Sequence, residues 1–252
     1  MIRCDAHMHT RFSEDSDASV HSMLDAAIER GMEAVCITDH LDKDFPQTPD
    51  FPAGAFLFDL GNYFQRLTQL KEEYQKKLEV RIGVEIGLQP HLGEYYRNLT
   101  EKYPFDFVIG SVHLIHGQDP YYRTFFEGRS DEEAYQEAFQ VTIENLKKVN
   151  SFDSLGHLDY VVRYGTHQAE EYSYNKYVEE IDEILIAQGK GLEMNMAGMK
   201  YGLGFPNPHP DVIRRYRELG GEIVTIGADA HRPEHVAFDF DKAGEILISC
   251  GF

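Results

Sequence analysis

Short apolar runs alternate with longer amphipathic and charged stretches along this chain. Seven of the apolar runs predict β-strands, at residues 2–9, 34–40, 80–87, 107–113, 154–157, 191–196 and 222–227. Apolar positions at helical spacing predict helices between them, at residues 19–30, 59–77, 130–149, 174–188 and 210–219. Repeated β–α units of this kind are typical of a mostly parallel sheet covered by helices.

The pattern of apolar and polar residues gives no sign of a domain boundary. It contains no internal repeat, low-complexity tract or linker, so we expect residues 1–252 to form a single α/β domain, a length common for α/β barrels. Two connecting segments are long and rich in aromatic residues, at 41–58 and 114–129. Long loops on a barrel often cover its functional face.

Metal-binding residue types recur where the predicted strands end. Six of the seven strands carry a histidine or a carboxylate at the carboxyl end, and the remaining one ends at Asn195. The loops that follow barrel strands converge on one face, which is where barrel active sites lie. The residues are His7, His9, Asp39, His40, Glu85, His113, His157, Asp229 and His231.

This convergence predicts a multinuclear metal site. His7 and His9 point to the same side of one strand, because side chains alternate along a strand. Glu85 lies inside an apolar run, where a carboxylate is costly unless it is paired or bound to a metal. Neutral imidazoles and carboxylates are the ligands that divalent metals bind. We expect Asp15 to reach the same cavity, whereas Asp17 is assigned to the cap of the next helix together with Ser19.

Composition narrows the range of partners and compartments. Lys+Arg 24 against Asp+Glu 43 gives a formal net charge of −19, which argues against nucleic-acid tracking and against binding to an anionic membrane. A hydrophobic fraction of 42% is enough for a packed core, and no apolar run is long enough to span a bilayer. Three widely spaced cysteines favour a reducing cytoplasm, and no oligomeric state is predicted.

Four motifs carry a family resemblance over nearly the whole chain. They are DAHMHT at 5–10, ITDH at 37–40, SVH at 111–113 with GHLD at 156–159, and GADAH at 227–231. With these motifs the chain resembles the polymerase-and-histidinol-phosphatase (PHP) superfamily. Within it, the segments IGVEIG, 156–164 and LEMNMAG are similar to those of monofunctional histidinol-phosphate phosphatases.

The resemblance implies a distorted seven-stranded β/α barrel, similar to a TIM barrel, that holds three divalent metal ions. One ion would be bound by His7, His9, Glu85 and Asp229, and a second by the bridging Glu85 with His113 and His157. The third would be bound by Asp15, His40 and His231. Some relatives carry histidine at the position of Asp15, and an oxygen ligand there favours iron or manganese over zinc.

The implied activity is hydrolysis of L-histidinol phosphate, a small phosphomonoester of histidine biosynthesis, by a hydroxide shared between two metals. Glu85, Asp229 and Arg163 form the expected catalytic set. Arg163 follows the fifth predicted strand and is the first candidate for binding the phosphate, with Lys200 second. Either residue could instead be an ordinary surface charge.

Three alternatives remain open from the residues alone. The same site could hydrolyse another small phosphomonoester such as a nucleotide. A metallo-amidohydrolase also opens with His-x-His but commonly uses a carbamylated lysine as the bridge, and no predicted strand here ends in lysine. A non-catalytic metal-binding module is the third alternative.

Overall fold

The computed structural model describes residues 2–166 and 176–252. Its strands follow the predicted order but are shorter than the apolar runs that predict them. They are β1 (Cys4–Asp5), β2 (Ala34–Ile37), β3 (His40–Leu41), β4 (Glu79–Gly87), β5 (Phe107–Ser111), β6 (Ser154–Leu155), β7 (Gly191–Asn195) and β8 (Val224–Gly227).

Seven parallel strands form a nearly closed barrel. The hydrogen-bonded path runs β1-β2-β4-β5-β6-β7-β8, and β3 pairs beside it with β4. The ends of the path meet where Ala6 N donates to Ile226 O at 3.0 Å and His9 N donates to Ala230 O at 2.9 Å. The predicted seven-stranded α/β barrel is therefore confirmed. The second predicted strand is interrupted because the Asp39 side chain bonds to the segment after β1, accepting from Thr10 N at 2.6 Å.

The helices surround this barrel. They are α1 (Val20–Glu29), α2 (Leu60–Tyr74), α3 (Gly93–Lys102), α4 (Asp131–Leu146), α5 (Lys176–Gln188), α6 (Ala197–Lys200), α7 (Pro210–Glu218) and α8 (Phe240–Ser249). Five match predicted helices within a few residues, although residues 174 and 175 of one prediction lie outside the described residues. The sequence reasoning missed α3, α6 and α8.

Local chemistry explains where some of these helices begin and why others were missed. The side chain of Ser19 caps α1 by accepting from Ser22 N, so Ser19 is the cap and the exposed Asp17 is not. In α3 only Tyr96 and Leu99 are buried, an apolar stripe too thin to give a helical period in the sequence.

Within the described residues no helix is long and apolar enough to cross a membrane.

The carboxylate of Asp182 is buried in the helical layer without a hydrogen-bond partner among the described residues. Asp182 lies on α5, which packs against α4 and α7, and its side chain is fully buried. Neither of its oxygens accepts a hydrogen bond from the described residues. Burial raises the pKa of Asp182 well above its usual value, and the nearby Glu179 raises it further. The folded state therefore favours the protonated carboxyl group.

We expect Asp182→Asn to stabilise the protein near neutral pH. A folded-state pKa above the unfolded value stabilises the fold only at low pH, and this contribution is lost as pH rises through the folded pKa. A gain in the free energy of unfolding is therefore expected at pH 8, and little change is expected at pH 4. Urea unfolding at both pH values measures it. The exposed neighbour variant Glu183→Gln is the control, and an equal gain at both pH values would contradict the assignment.

Candidate metal centre

The carboxyl ends of the barrel strands open into a pocket of about 630 Å³. His7, His9 and Glu85 lie fully buried at its base. The other predicted site residues line its wall, namely Asp15, His40, His113, His157, Arg163, Lys200, Asp229 and His231. The structure thus brings the nine predicted metal ligands, Arg163 and Lys200 to one face of the barrel. Asp39, which also lies at a predicted strand end, does not line the pocket and instead accepts hydrogen bonds from Thr10 N and Ser13 Oγ.

Four donor atoms at the base form a compact group. The Nε2 atoms of His7 and His9 lie 3.0 Å apart, and they lie 3.2 Å and 3.5 Å from Oε2 of Glu85. Oδ1 of Asp229 lies 3.4 Å from His9 Nε2 and 3.8 Å from His7 Nε2. Ligands at the usual zinc bond lengths stand about 3.3 Å apart in a tetrahedron. The group therefore has the dimensions of a four-ligand metal site.

The Glu85 carboxylate joins this group to a second one. Its other oxygen, Oε1, lies 3.3 Å from His113 Nε2 and 3.0 Å from His157 Nε2, and it accepts a hydrogen bond from Ser111 Oγ at 2.6 Å. Each oxygen of one carboxylate thus faces its own set of imidazoles. This is the arrangement that the family resemblance implies for a bridging ligand.

Three buried atoms of the proposed ligands lack any hydrogen bond with the described residues, namely Oε2 of Glu85, Nδ1 of His40 and Nδ1 of His157. The first two of these atoms lie only 2.9 Å apart. Buried polar atoms are normally satisfied, and a carboxylate oxygen and imidazole nitrogens without hydrogen bonds are suited to coordinate a divalent cation. The donor set passes this test for divalent metals.

A third group lies nearer the pocket mouth. Oδ2 of Asp15 is 3.1 Å from His231 Nε2 and 3.6 Å from His40 Nε2. The rings of His40 and His231 each stack on His9 with centroids 4.1 Å apart. Asp15 therefore reaches the cavity as predicted, with its side chain 30% exposed.

The electrostatics of the centre favour anionic carboxylates. Burial alone would raise the pKa of Glu85, yet the surrounding His7, His40 and His113 hold it well below its usual value. The pKa of Asp229 is lowered in the same way against its burial, chiefly by His7 and His9. Ionised carboxylates beside imidazole nitrogens are the form that binds a divalent ion.

The backbone at Asp229 also aims its side chain. Asp229 adopts a positive φ of 51°, a left-handed conformation that aspartate tolerates better than most residues. Its amide donates to His7 O at 2.9 Å, which fixes the turn to the segment that follows β1. The turn after β8 is thereby held against β1.

Sequence reasoning missed the residues that orient the ligands. Nδ1 of His113 lies 2.8 Å from Oδ2 of Asp42, and Nδ1 of His7 lies 2.6 Å from Oε1 of Glu193. Nδ1 of His9 lies 3.2 Å from Ser13 Oγ. Glu193 could have been found, since it interrupts an apolar strand just as Glu85 does, whereas Asp42 lies in a loop with no periodic signal.

Arg163 is part of the pocket wall and not a surface charge. Its side chain is only 5% exposed, and its guanidinium lies over the rings of Tyr160 and Tyr201. Nε donates to Asn207 Oδ1 at 2.7 Å, and Nη2 donates to Asn195 Oδ1 at 3.2 Å. Lys200 also lines the pocket, and its Nζ donates to the carbonyl oxygen of Asp229 at 3.1 Å.

The two long loops supply the rest of the wall. Residues 41–58 contribute aromatic rings, and residues 114–129 contribute tyrosines and one half-buried carboxylate. The prediction that these loops lie over the functional face agrees with their position. Their lining residues are Asp42, Phe45, Asp50, Phe51, Phe56, Asp119, Tyr121 and Tyr122.

Comparison with known proteins gives consistent similarities. Residues 5–197 match the PHP domain family. The chain is 32% identical to a probable histidinol-phosphatase of Clostridium acetobutylicum, over 98% of this chain and 93% of that protein. It is 31% identical to the histidinol-phosphatase of Lactococcus lactis, over 100% of this chain and 93% of that protein.

A solved structure is similar over almost the same length. The histidinol phosphate phosphatase of Lactococcus lactis, complexed with zinc, L-histidinol and phosphate, has a TM-score of 0.88 to this chain. The two are 30% identical, and the similarity covers 99% of this chain and 94% of that one.

We expect Glu85→Ala to abolish binding of two of three divalent ions per chain, because one carboxylate serves two donor groups. Metal content after gel filtration, measured by inductively coupled plasma mass spectrometry, checks this. Asp15→Ala, which removes a ligand from only the third group, is the matched control and is expected to lose one ion. If Glu85→Ala retains the same metal content as the unaltered protein, the assignment of Glu85 as a bridge is wrong.

Proposed function

Because the chain belongs to the PHP domain family, we propose that it is a metal-dependent phosphomonoesterase that hydrolyses L-histidinol phosphate to L-histidinol and phosphate. The observation that carries the proposal is the position of all nine predicted metal ligands at the base and on the wall of one pocket, which Arg163 and Lys200 also line. This pocket lies in a chain whose fold matches a phosphatase structure described with zinc, L-histidinol and phosphate.

We propose that three divalent ions occupy the three donor groups described above. The ligands are His7, His9, Glu85 and Asp229 for the first, Glu85, His113 and His157 for the second, and Asp15, His40 and His231 for the third. Bound there, divalent ions would lower the pKa of water and neutralise the phosphate oxygens. The donors are nitrogen and oxygen atoms only, a set that suits zinc, iron and manganese.

Arg163 is the proposed protein cation for the phosphate. No hydrogen bond engages its Nη1 among the described residues, while Nε and Nη2 are held by Asn207 and Asn195. A guanidinium fixed on two sides loses little entropy when it binds an anion. Its Nη2 also lies 3.5 Å from Oδ2 of Asp229, which places the cation beside the proposed metal ligands. Lys200 adds a second positive charge to the same wall.

The remainder of the substrate carries an ammonium group and an imidazole, so it requires acidic and aromatic side chains in place of cations. Asp119 is half-buried in the pocket wall and accepts at Oδ1 from Tyr121 N at 2.9 Å and from Tyr160 Oη at 3.3 Å. Carboxylates and aromatic faces are the groups that attract an organic cation. We propose Asp119 as the residue that recognises the ammonium group.

The remaining assignments are also proposals. We propose that residues 1–252 act as one domain in the cytoplasm, supported by three cysteines that are all free thiols. The net charge of −19 supports a small-molecule partner over a nucleic acid or an anionic membrane.

We expect L-histidinol phosphate to exceed other phosphomonoesters by at least tenfold in kcat/KM, because recognition of the amine end contributes on the order of 1–3 kcal/mol. Steady-state phosphate release from L-histidinol phosphate, 2-aminoethyl phosphate and a nucleoside monophosphate measures it. Protein treated with a chelator and then reloaded with zinc or manganese is the control for metal dependence. Equal rates on all three substrates would refute the specific assignment but leave a general phosphatase.

Two variants test recognition of the ammonium group and of the phosphate separately. Asp119→Asn is expected to lower kcat/KM for L-histidinol phosphate by about 10–100-fold, the size of a lost charge-assisted hydrogen bond, and to affect phenyl phosphate much less. Arg163→Met is expected to lower kcat/KM for both substrates to a similar extent, since both carry the phosphate. Equal losses on both substrates for Asp119→Asn would argue against its role in recognising the ammonium group.

A further inference from the structure

We propose that Glu193 is a positioning residue that holds two ligands of the metal centre, His7 and His157, in their metal-binding orientation. This inference rests on the proposed metal centre but not on the identity of the substrate. Glu193 belongs to β7 and is buried, with 1% of its side chain exposed. It lies behind the donor groups and is not among the residues that line the pocket.

The first contact fixes the tautomer of His7. Oε1 of Glu193 lies 2.6 Å from Nδ1 of His7, and both side chains are shielded from water. A carboxylate only accepts hydrogen bonds, so Nδ1 of His7 carries the proton that it donates to Glu193. The lone pair of His7 is then on Nε2, the atom that lies 3.0 Å from His9 Nε2 and 3.2 Å from Glu85 Oε2. Carboxylates that accept from a metal-binding histidine orient the ring and raise its basicity.

The second oxygen holds a different strand end. Oε2 of Glu193 accepts from the backbone amide of His157 at 2.9 Å and from Nδ2 of Asn195 at 3.1 Å. The amide contact fixes the chain where it leaves β6, directly at the residue that faces Oε1 of Glu85. Asn195 continues the network, since its Nδ2 also lies 3.3 Å from Oδ2 of Asp229. One carboxylate thus braces ligands from both sides of Glu85.

Gly227 leaves the space in the barrel that the Glu193 carboxylate occupies. A Cβ atom at Gly227, the last residue of β8, would lie 2.7 Å from Oε1 of Glu193 and 2.2 Å from Cβ of His7. Any larger residue would displace either the carboxylate or the histidine. The first glycine of the GADAH motif therefore permits the close approach of β1, β7 and β8 that the contact requires.

Glutamine is an informative replacement because it has nearly the same shape. Glu193 accepts from three N–H donors on two oxygens. The amide of glutamine has one acceptor oxygen, so its NH₂ group must face either His7 Nδ1 or the amide of His157. If it faces His7, the ring is driven to the tautomer whose lone pair points away from the metal site. If it faces the amide of His157, that backbone N–H loses its hydrogen-bond acceptor.

The test measures zinc affinity, using zinc alone as the probe. For Glu193→Gln we expect about 10–100-fold weaker binding of the two ions that His7 and His157 ligate, the range found when such orienting partners are lost. Dissociation constants come from competition with a chromophoric chelator, and the melting temperature of the metal-free protein is measured in parallel. Because no substrate is used, failure of the proposed phosphatase activity would not affect the result.

Two variants serve as comparisons. Asp42→Asn alters the carboxylate that contacts His113. It is expected to weaken binding of the one ion that His113 ligates and to leave the affinity for the ion on His7 unchanged. Asp182→Asn alters a carboxylate equally buried but remote from the centre, so all zinc affinities are expected to match the unaltered protein. A Glu193→Gln protein that binds zinc within about twofold of the unaltered protein would overturn the proposal, even if its metal-free melting temperature falls.

An independent measurement covers the case in which Glu193→Gln does not fold. In the zinc-loaded unaltered protein, nitrogen-15 NMR of labelled histidine is expected to show the His7 proton on Nδ1 in slow exchange with solvent. A His7 proton found on Nε2 would refute the proposal without any variant.

Discussion

The structure depends on one buried anion, the carboxylate of Glu85. It lies at the base of the pocket on the longest strand of the barrel, with no exposure to solvent. Such a group is unfavourable unless polar or charged partners surround it, and five imidazoles approach its two oxygens. These are His7, His9 and His40 at Oε2, and His113 and His157 at Oε1. The histidines come from segments far apart in sequence, so only a closed barrel can assemble them.

Much of this arrangement could be predicted from the sequence, and the reason is geometric. Once the apolar runs are identified as parallel strands, their carboxyl ends must share one face, and the histidines at those ends must meet there. Element bounds were less predictable, because β1 and β6 have only two residues each in the regular ladder. Helix α8 was missed although Phe240 and Ala243 on it are buried, since no strand pattern follows to frame it.

The residues that could not be predicted are those whose roles depend on neighbours in space. Arg163 has the sequence context of a surface charge, and only packing shows it held by Asn195 and Asn207 between two tyrosine rings. Asp42 is one acid in a loop until His113 is seen beside it. The strong negative charge of the chain likewise does not predict the composition of the pocket. The charge describes the surface, whereas the pocket combines buried acids with histidines, an arginine and a lysine.

The seam between β1 and β8 affects how the protein folds. His7 and His9 are separated from Asp229 and His231 by about 220 residues of chain. The hydrogen bonds that join the two segments, such as Asp229 N to His7 O, therefore have a very long sequence separation. Contacts of such long sequence separation form late because the loop between them must close first. The four-ligand group is thus expected to be completed late in folding, after both segments have met, and not to act as a folding nucleus.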